Sequence, residues 1–200
     1  LLHKKFGNAA KQVVIEEFLD GTEMSIFVLT DGEDYKILPT AKDYKRIGDG
    51  DTGLNTGGMG AISPNLLADD QLIKKVESKI IQPTLQGLKN RNYDYKGFIF
   101  LGLMIIENEP FVIEYNVRLG DPETEAILPR IKTDLLNLLD KTVKRKLADI
   151  DLEISDDFTA TLVLASGGYP GSYEKGKEIS GLDATGENEI IFHSGTKLKD

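Results

Sequence analysis

Glu114 and Asn116 close an apolar run and stand just before Arg118-Leu119-Gly120-Asp121-Pro122-Glu123. Val112-Ile113-Glu114-Tyr115-Asn116 reads as a strand, and strand side chains alternate between faces, so Glu114 and Asn116 point the same way. A carboxylate and an amide carbonyl are both hard oxygen donors. Mg²⁺ suits such a pair, because it takes one or two carboxylates together with substrate phosphates and water. Arg118 shares that face if the strand continues, and it adds a fixed cation for an anion. Metal, phosphate and cation together point to phosphoryl chemistry. The plain alternative is a surface strand end with a hydrogen-bonded Asn, and the density of polar groups at one terminus argues against it.

Three further segments carry polar chemistry. Lys42, Lys45 and Arg46 form a basic cluster that leads into Gly48-Asp49-Gly50-Asp51-Thr52-Gly53-Leu54-Asn55-Thr56-Gly57-Gly58-Met59-Gly60. Glycines let backbone N–H groups turn inward onto an anion. The spacing matches neither a dinucleotide fingerprint nor a Walker A loop. A surface loop is the plain reading, and the acidic Asp49-Gly50-Asp51 lacks the full calcium-loop pattern. Glu16 and Glu17 lie in an apolar stretch on opposite faces, and Glu23, across a turn, is placed to accept from ribose hydroxyls. An edge hairpin with solvated glutamates is the alternative there. Ser166-Gly167-Gly168-Tyr169-Pro170-Gly171 reads as a tight turn. With no cysteine, no G-x-S-x-G and only His3 and His193, no covalent nucleophile is in view. Any catalysis would then rest on positioning and charge stabilisation around a metal nucleotide.

The elements that must hold these groups follow from periodicity. Residues 11–18 read as a strand, paired through the Leu19-Asp20-Gly21 turn with a second strand over 22–30. A third strand covers 35–39, and residues 42–64 lack apolar periodicity. Leu72, Ile73, Val76, Ile80, Leu85 and Leu88 recur at helical spacing over 69–89, with Asp69 and Asp70 at the positive end and Pro83 as a kink or break. Residues 97–107 and 110–116 form a hairpin around an Asn108-Glu109 turn. Asp121-Pro122 opens a short helix with Asp as its cap, and 133–146 form another. Residues 149–157 read as an acidic linker, and 158–166 as a new strand. The order fits an α+β domain with an antiparallel sheet. The 200 residues carry a net charge of −9, the wrong balance for nucleic-acid binding, and no apolar stretch approaches the roughly 20 residues of a membrane helix. The absence of cysteine is compatible with a cytoplasmic protein. The chain lacks an initiator Met, so a piece of a longer protein is expected.

Three stretches carry a resemblance: Val14-Ile15-Glu16-Glu17-Phe18-Leu19-Asp20-Gly21-Thr22-Glu23, the run from Asp43 through Asn55-Thr56-Gly57-Gly58-Met59-Gly60-Ala61, and Glu114-Tyr115-Asn116-Val117-Arg118-Leu119-Gly120-Asp121-Pro122-Glu123. The chain resembles the phosphoribosylamine–glycine ligases of purine biosynthesis, members of the ATP-grasp superfamily, over essentially its whole length. The resemblance implies an ATP-grasp subdomain over residues 1–148, its antiparallel sheet flanked by helices, and the start of a β-rich C-terminal domain over 149–200. It implies ligation of glycine to 5-phosphoribosylamine with ATP through a glycyl phosphate. Glu16, Glu17, Phe18 and Leu19 would line the adenine pocket, Glu23 would hold ribose, and Arg46 and Asn55 would contact the nucleotide. Glu114 and Asn116 would bind Mg²⁺ or Mn²⁺. Arg118 and Asp121 would act in catalysis, and Thr56, Gly57, Gly58 and Gly60 would meet substrate. Phe100-Leu101-Gly102-Leu103 departs from the pattern, having no acid where many ATP-grasp enzymes carry another metal carboxylate. An N-terminal half of the same enzyme, of which residues 1–10 look like the tail, is the expected partner, and the fragment alone is expected to be inactive. A noncatalytic nucleotide- or metal-binding module and another ATP-grasp carbon–nitrogen ligase are the alternatives.

Overall fold

A computed structural model describes residues 7–199; residues 1–6, and with them most of the expected tail, lie outside it. The strands, in chain order, are β1 (Thr22–Thr30), β2 (Tyr35–Ile37), β3 (Lys42–Asp43), β4 (Arg46–Gly48), β5 (Thr52–Asn55) and β6 (Gly60–Ser63). Helices α1 (Asp70–Val76) and α2 (Gln82–Asn90) follow, then the hairpin β7 (Gly97–Ile106) and β8 (Glu109–Asn116). Helices α3 (Glu123–Ile127) and α4 (Leu135–Val143) and strand β9 (Thr159–Leu162) complete the set.

The main sheet is antiparallel in the order β2-β1-β7-β8. Period-two alternation in β1 and β7 divides its apolar residues between two cores. Met24, Ile26, Val28, Ile99, Leu101 and Leu103 face Leu72, Val76, Ile80 and Ile81 of the helical segment. Phe27, Leu29 and Phe100 face Ile127, Leu138 and Leu147 on the other side. Both faces of the central strands are therefore covered, and each fully buried side chain of this size contributes about 1.5–3 kcal/mol.

Asp69 caps α1, its Oδ1 accepting from Leu72 N at 2.7 Å. Pro83 does not end the helix. The turn before it, Glu77–Ile81, widens to π geometry, and Pro83 falls in the first turn of α2. A proline has no N–H to give, and a widened turn is one way a helix passes it.

Several expectations are corrected. Residues 13–20 form no strand, so the expected first hairpin is absent; β1 pairs with β7 and β2 instead. Val14, Ile15 and Phe18 are exposed, and a lone strand without a ladder partner gains nothing from being extended. The segment 42–64 is structured: β3 and β6 pair, and β4 and β5 form a separate ribbon. The β7–β8 turn is Glu107-Asn108, both at positive φ, one residue earlier than expected. Pro122, not Asp121, occupies the N-cap of α3, with no side-chain cap bond; the Thr124 N–H and hydroxyl both bond the Gly120 carbonyl instead. Of the expected β-rich C-terminal part, the described residues show one strand, β9, added to β6. Buried Arg130 anchors it, donating to Ser63 Oγ at 3.0 Å, Ser155 O at 2.7 Å and Asp157 O at 2.7 Å.

Candidate active site

The register of β8 decides where its polar residues point. Asn116 lies opposite Phe100 and Glu114 opposite Gly102, but Val112, not Ile113, lies opposite Leu103. Ile113 is thus the extra residue of a bulge, which shifts the face alternation by one. Val112 packs into the helix-side core, whereas Glu114 and Asn116 join the opposite face with Ser25, Phe27 and Phe100. Without the bulge, Val112, Glu114 and Asn116 would share one face. Gly102 completes the arrangement: a Cβ there would stand 2.9 Å from Glu114 Cγ, so an acid at that position would take the space Glu114 uses. This is a physical reason for the missing acid in Phe100-Leu101-Gly102-Leu103.

On that face lies a cleft of about 230 Å³, lined among others by Glu23, Ser25, Lys45, Gly102, Ile113 and Glu114. Lys45 is its central cation. Its Nζ lies 3.0 Å from Glu23 and 3.9 Å from Asp43. Partial burial alone would lower its pKa, but the Glu23 hydrogen bond and the charges of Glu23, Asp43 and Glu114 raise it above the usual lysine range. Behind Lys45, Asp43 is raised to about 7, first by burial and then by the charge of Glu123. Glu123 is buried and accepts from Ser25 Oγ at 3.1 Å.

The expected basic cluster is divided among separate jobs. Lys42 lies over the Tyr44 ring, Lys45 faces the cleft, and Arg46 stands 3.9 Å from Asp51. Arg46 and Asn55 are cross-strand partners on the exposed β4–β5 ribbon. The glycine loop uses its N–H groups internally: Thr56 N bonds Lys45 O, Gly57 N bonds Tyr169 Oη, Gly58 N bonds Thr56 Oγ1 and Met59 N bonds Tyr44 O. Gly58 packs against Pro122 and the Asp121 carbonyl, so the loop of Thr56, Gly57, Gly58 and Gly60 meets the Asp121 turn. Arg118 donates to Asn116 Oδ1 at 3.4 Å and to Leu119 O at 3.0 Å. Glu16, Glu17 and Phe18 are exposed and Leu19 partly so, on a segment outside the sheets.

The donor set fits a divalent cation shared with phosphates. Among the described residues no group of three or more His, Asp or Glu could hold a metal, so the ion would depend on Glu114, Asn116 and ligand oxygens, as Mg²⁺ does. Sequence reading missed Ser25, Asp43 and Glu123 as site residues. Nothing local signalled Asp43, because its strand is only two residues long.

Comparison with known proteins gives the family of the chain. The phosphoribosylglycinamide synthetase ATP-grasp (A) domain matches residues 1–124, and the C domain of the same synthetase matches 159–200. A phosphoribosylamine–glycine ligase of Chlorobaculum tepidum is 48% identical over 96% of this chain and 46% of its own length. A bifunctional purine biosynthetic protein of Pichia angusta is 48% identical over 98% of the chain and 25% of its own. The crystal structure of a phosphoribosylamine–glycine ligase from Thermotoga maritima superposes with a TM-score of 0.75 at 42% identity, over 82% of this chain and 41% of that one. The chain therefore spans about half the length of the single-function relatives it matches. No helix among the described residues is long and apolar enough to cross a membrane.

Proposed function

Since the chain belongs to the phosphoribosylglycinamide synthetase family, we propose that it forms one wall of the nucleotide and metal cleft of an enzyme that ligates glycine to 5-phosphoribosylamine with ATP, through a glycyl phosphate. The observation that supports this best is the bulge at Ile113, which turns Glu114 and Asn116 onto the face that carries Lys45.

Glu114 and Asn116 hold Mg²⁺ or Mn²⁺, which when bound offsets phosphate charge during transfer. Asn116 Oδ1 keeps a second lone pair for the ion, and Arg118 holds the first only by a long, exposed bond that costs little to give up. Its guanidinium is then available to a phosphate or carboxylate oxygen. Glu23 accepts from ribose hydroxyls, and Arg46 and Asn55 reach the nucleotide from the ribbon. Glu16, Glu17, Phe18 and Leu19 line the adenine pocket. Asp121 and the loop of Thr56, Gly57, Gly58 and Gly60 close on substrate. Residues 1–148 belong to the ATP-grasp domain and 149–200 to the C-terminal one; the enzyme is cytoplasmic and takes neither nucleic acid nor membrane. The 200 residues alone are inactive, one wall of the cleft lying elsewhere.

The test is Glu114→Ala and Asn116→Ala in the full-length enzyme. Each is expected to lower turnover by at least about 100-fold and to weaken Mn²⁺ binding to the nucleotide complex, read by electron paramagnetic resonance. Unchanged Mn²⁺ affinity in both variants would remove the metal assignment. Ligase turnover by the isolated 200-residue chain would refute the one-wall reading.

A further inference from the structure

The turn over 166–172 lies outside the assigned site, yet the chain builds it against the glycine loop. Leu162 pairs with Gly60 at the end of β9, and Val163 N donates to Met59 O at 2.9 Å, so the segment leaves the sheet alongside that loop. The turn is closed by Tyr169 N on Ser166 O at 3.2 Å and Gly171 N on Gly168 O at 2.8 Å. Gly168 is at φ +100°, and a Cβ there would collide with Ser172 O, so glycine is what this turn needs. It sets the Tyr169 and Tyr173 rings edge to face, 5.8 Å apart, with Lys175 Nζ 6.0 Å from the centre of the Tyr173 ring.

The loop's own hydrogen bonds show where its polarity goes. Thr56 N is spent on Lys45 O, Gly58 N on Thr56 Oγ1 and Met59 N on Tyr44 O. Gly57 N differs, because its acceptor is the Tyr169 hydroxyl at 3.3 Å. A phenol oxygen that accepts keeps its own O–H to give, and among the described residues that proton has no acceptor. Polarisation by the amide strengthens it as a donor. Lys175 is unspent too: Lys177 pairs with Glu174 at 3.2 Å, whereas Lys175 has no carboxylate partner among the described residues. Tyr169 is partly buried and Lys175 exposed, so a fixed hydroxyl donor and a mobile cation share one side of Gly57.

We propose that Tyr169 and Lys175 hold the sugar-phosphate end of the second substrate, the hydroxyl donating to a ribose oxygen and the ammonium meeting the 5-phosphate. This rests on the functional reading above, in which that substrate is 5-phosphoribosylamine. Its amine must come to a glycyl phosphate whose other neighbours already have their places: the nucleotide ribose against Glu23, and the metal ion against Glu114 and Asn116. Gly58, packed on Pro122 and the Asp121 carbonyl, borders the cleft elsewhere, and next to it, through Gly57, the chain offers Tyr169, Tyr173 and Lys175. A phosphate ester calls for a cation, and lysine supplies a point charge on a stem long enough to follow it. The pentose calls for a donor, which the tyrosine has to spare. The C-terminal segment is then part of the site and selects a phosphorylated sugar amine over an unphosphorylated one.

The experiment uses the full-length enzyme as wild type, Tyr169→Phe, Lys175→Met and Lys175→Arg. Phenylalanine keeps the ring and Lys175 is exposed, so none of these changes threatens the fold. The amine substrate is formed in situ from ribose 5-phosphate and ammonia, and KM is measured for it, for glycine and for ATP. Ribose 5-phosphate and ribose are titrated by calorimetry with MgADP and glycine present. Lys175→Met should raise the KM of the amine by at least about 10-fold and remove the preference for ribose 5-phosphate over ribose, whereas Lys175→Arg should retain that preference. Tyr169→Phe should raise the same KM by about 3- to 10-fold and weaken both sugars alike. The KM values of glycine and ATP should stay near wild type throughout. An amine KM unchanged in both Lys175→Met and Tyr169→Phe overturns the subsite. So does a rise shared equally by all three substrates, because a turn that merely braces the glycine loop does not tell one substrate from another. Absence of wild-type turnover with glycine and 5-phosphoribosylamine would instead sink the functional reading.

Discussion

Asp31 and Asp43 are both buried beside β1, yet they are treated in opposite ways. Asp31 follows the last residue of the strand and receives three backbone donors: Glu33 N at 2.9 Å, Asp34 N at 2.8 Å and Leu147 N at 3.0 Å. Burial would raise its pKa, but these bonds and the Arg145 charge outweigh burial and hold it below the usual value. Asp43, near the start of β1, has one oxygen without a donor and is raised to about 7 by burial and by Glu123. The same side chain is a structural rivet at one end of the sheet and an unmet demand at the other. Satisfied polar groups mark what the fold needs, and unsatisfied ones mark what it waits for.

The largest test of this contrast is Asp31→Ala. Three buried or half-buried N–H groups lose their acceptor at roughly 1–3 kcal/mol each, so urea unfolding of the 200-residue chain should show a loss of about 3–5 kcal/mol. The parent should also weaken in acid: a carboxylate with a depressed folded pKa stabilises above its unfolded value, and that contribution fades as pH falls through the folded pKa. A loss below about 1 kcal/mol would show that the turn carries its own weight and the rivet does not.

Asp43→Asn should move stability the other way. The folded chain holds a proton on Asp43 that the unfolded chain releases near pH 4, so stability falls as pH rises from about 4 to about 7. The span of the shift caps this effect at about 4 kcal/mol. An amide copies the protonated form, so the variant should lose that decline and exceed the parent by roughly 1–3 kcal/mol at pH 8. A variant less stable than the parent at pH 8 would mean that the charged carboxylate is satisfied in the folded chain, and the contrast with Asp31 would collapse.

Gly102→Ala probes the face opposite Asp43 and should act more weakly. The added methyl meets Glu114 Cγ at 2.9 Å, and because Glu114 is exposed it can swing aside. Stability should fall by about 1 kcal/mol, while Mn²⁺ binding in the full-length enzyme weakens by about 10-fold. Metal affinity equal to wild type would show that Glu114 does not need the space.

How much of this was legible depends on where the information sat. The long helix, β1 and the β7–β8 hairpin announce themselves by periodicity because each buries a regular face. The pairing of Glu114 with Asn116 needed only alternation. The bulge at Ile113 was readable in principle: Phe111, Val112 and Ile113 are consecutive apolar residues, and simple alternation would put Val112 on the same face as the polar Glu114 and Asn116. Only a change of parity removes that conflict. Residues 13–18 misled because β-branched composition states a preference and says nothing of a partner. The strands within 42–64 are two to four residues long, too short for any period; β4 and β5 pair only with each other, and the β3–β6 pair is joined by β9, more than 90 positions away. Asp43's burial depends on Gly58, Pro122 and Glu123 meeting in space, which no local pattern encodes.

The smallest effect concerns the cover over Asp43. Tyr169 belongs to a stretch that reads as a plain turn, yet its hydroxyl accepts from Gly57 N at 3.3 Å, one residue from the glycine that faces Asp43 Oδ1. The bond is exposed and long, so water can replace it and Tyr169→Phe should cost less than about 1 kcal/mol. Amide hydrogen exchange separates this from no role at all. Gly57 N–H should exchange faster in the variant, while Gly58 N–H, bonded to Thr56 Oγ1 at 3.0 Å within the loop, should keep its rate. If both amides accelerate together, the tyrosine holds the whole loop closed over the aspartate. If neither changes, the loop keeps its shape by its own bonds, and the burial of Asp43 owes nothing to the C-terminal segment.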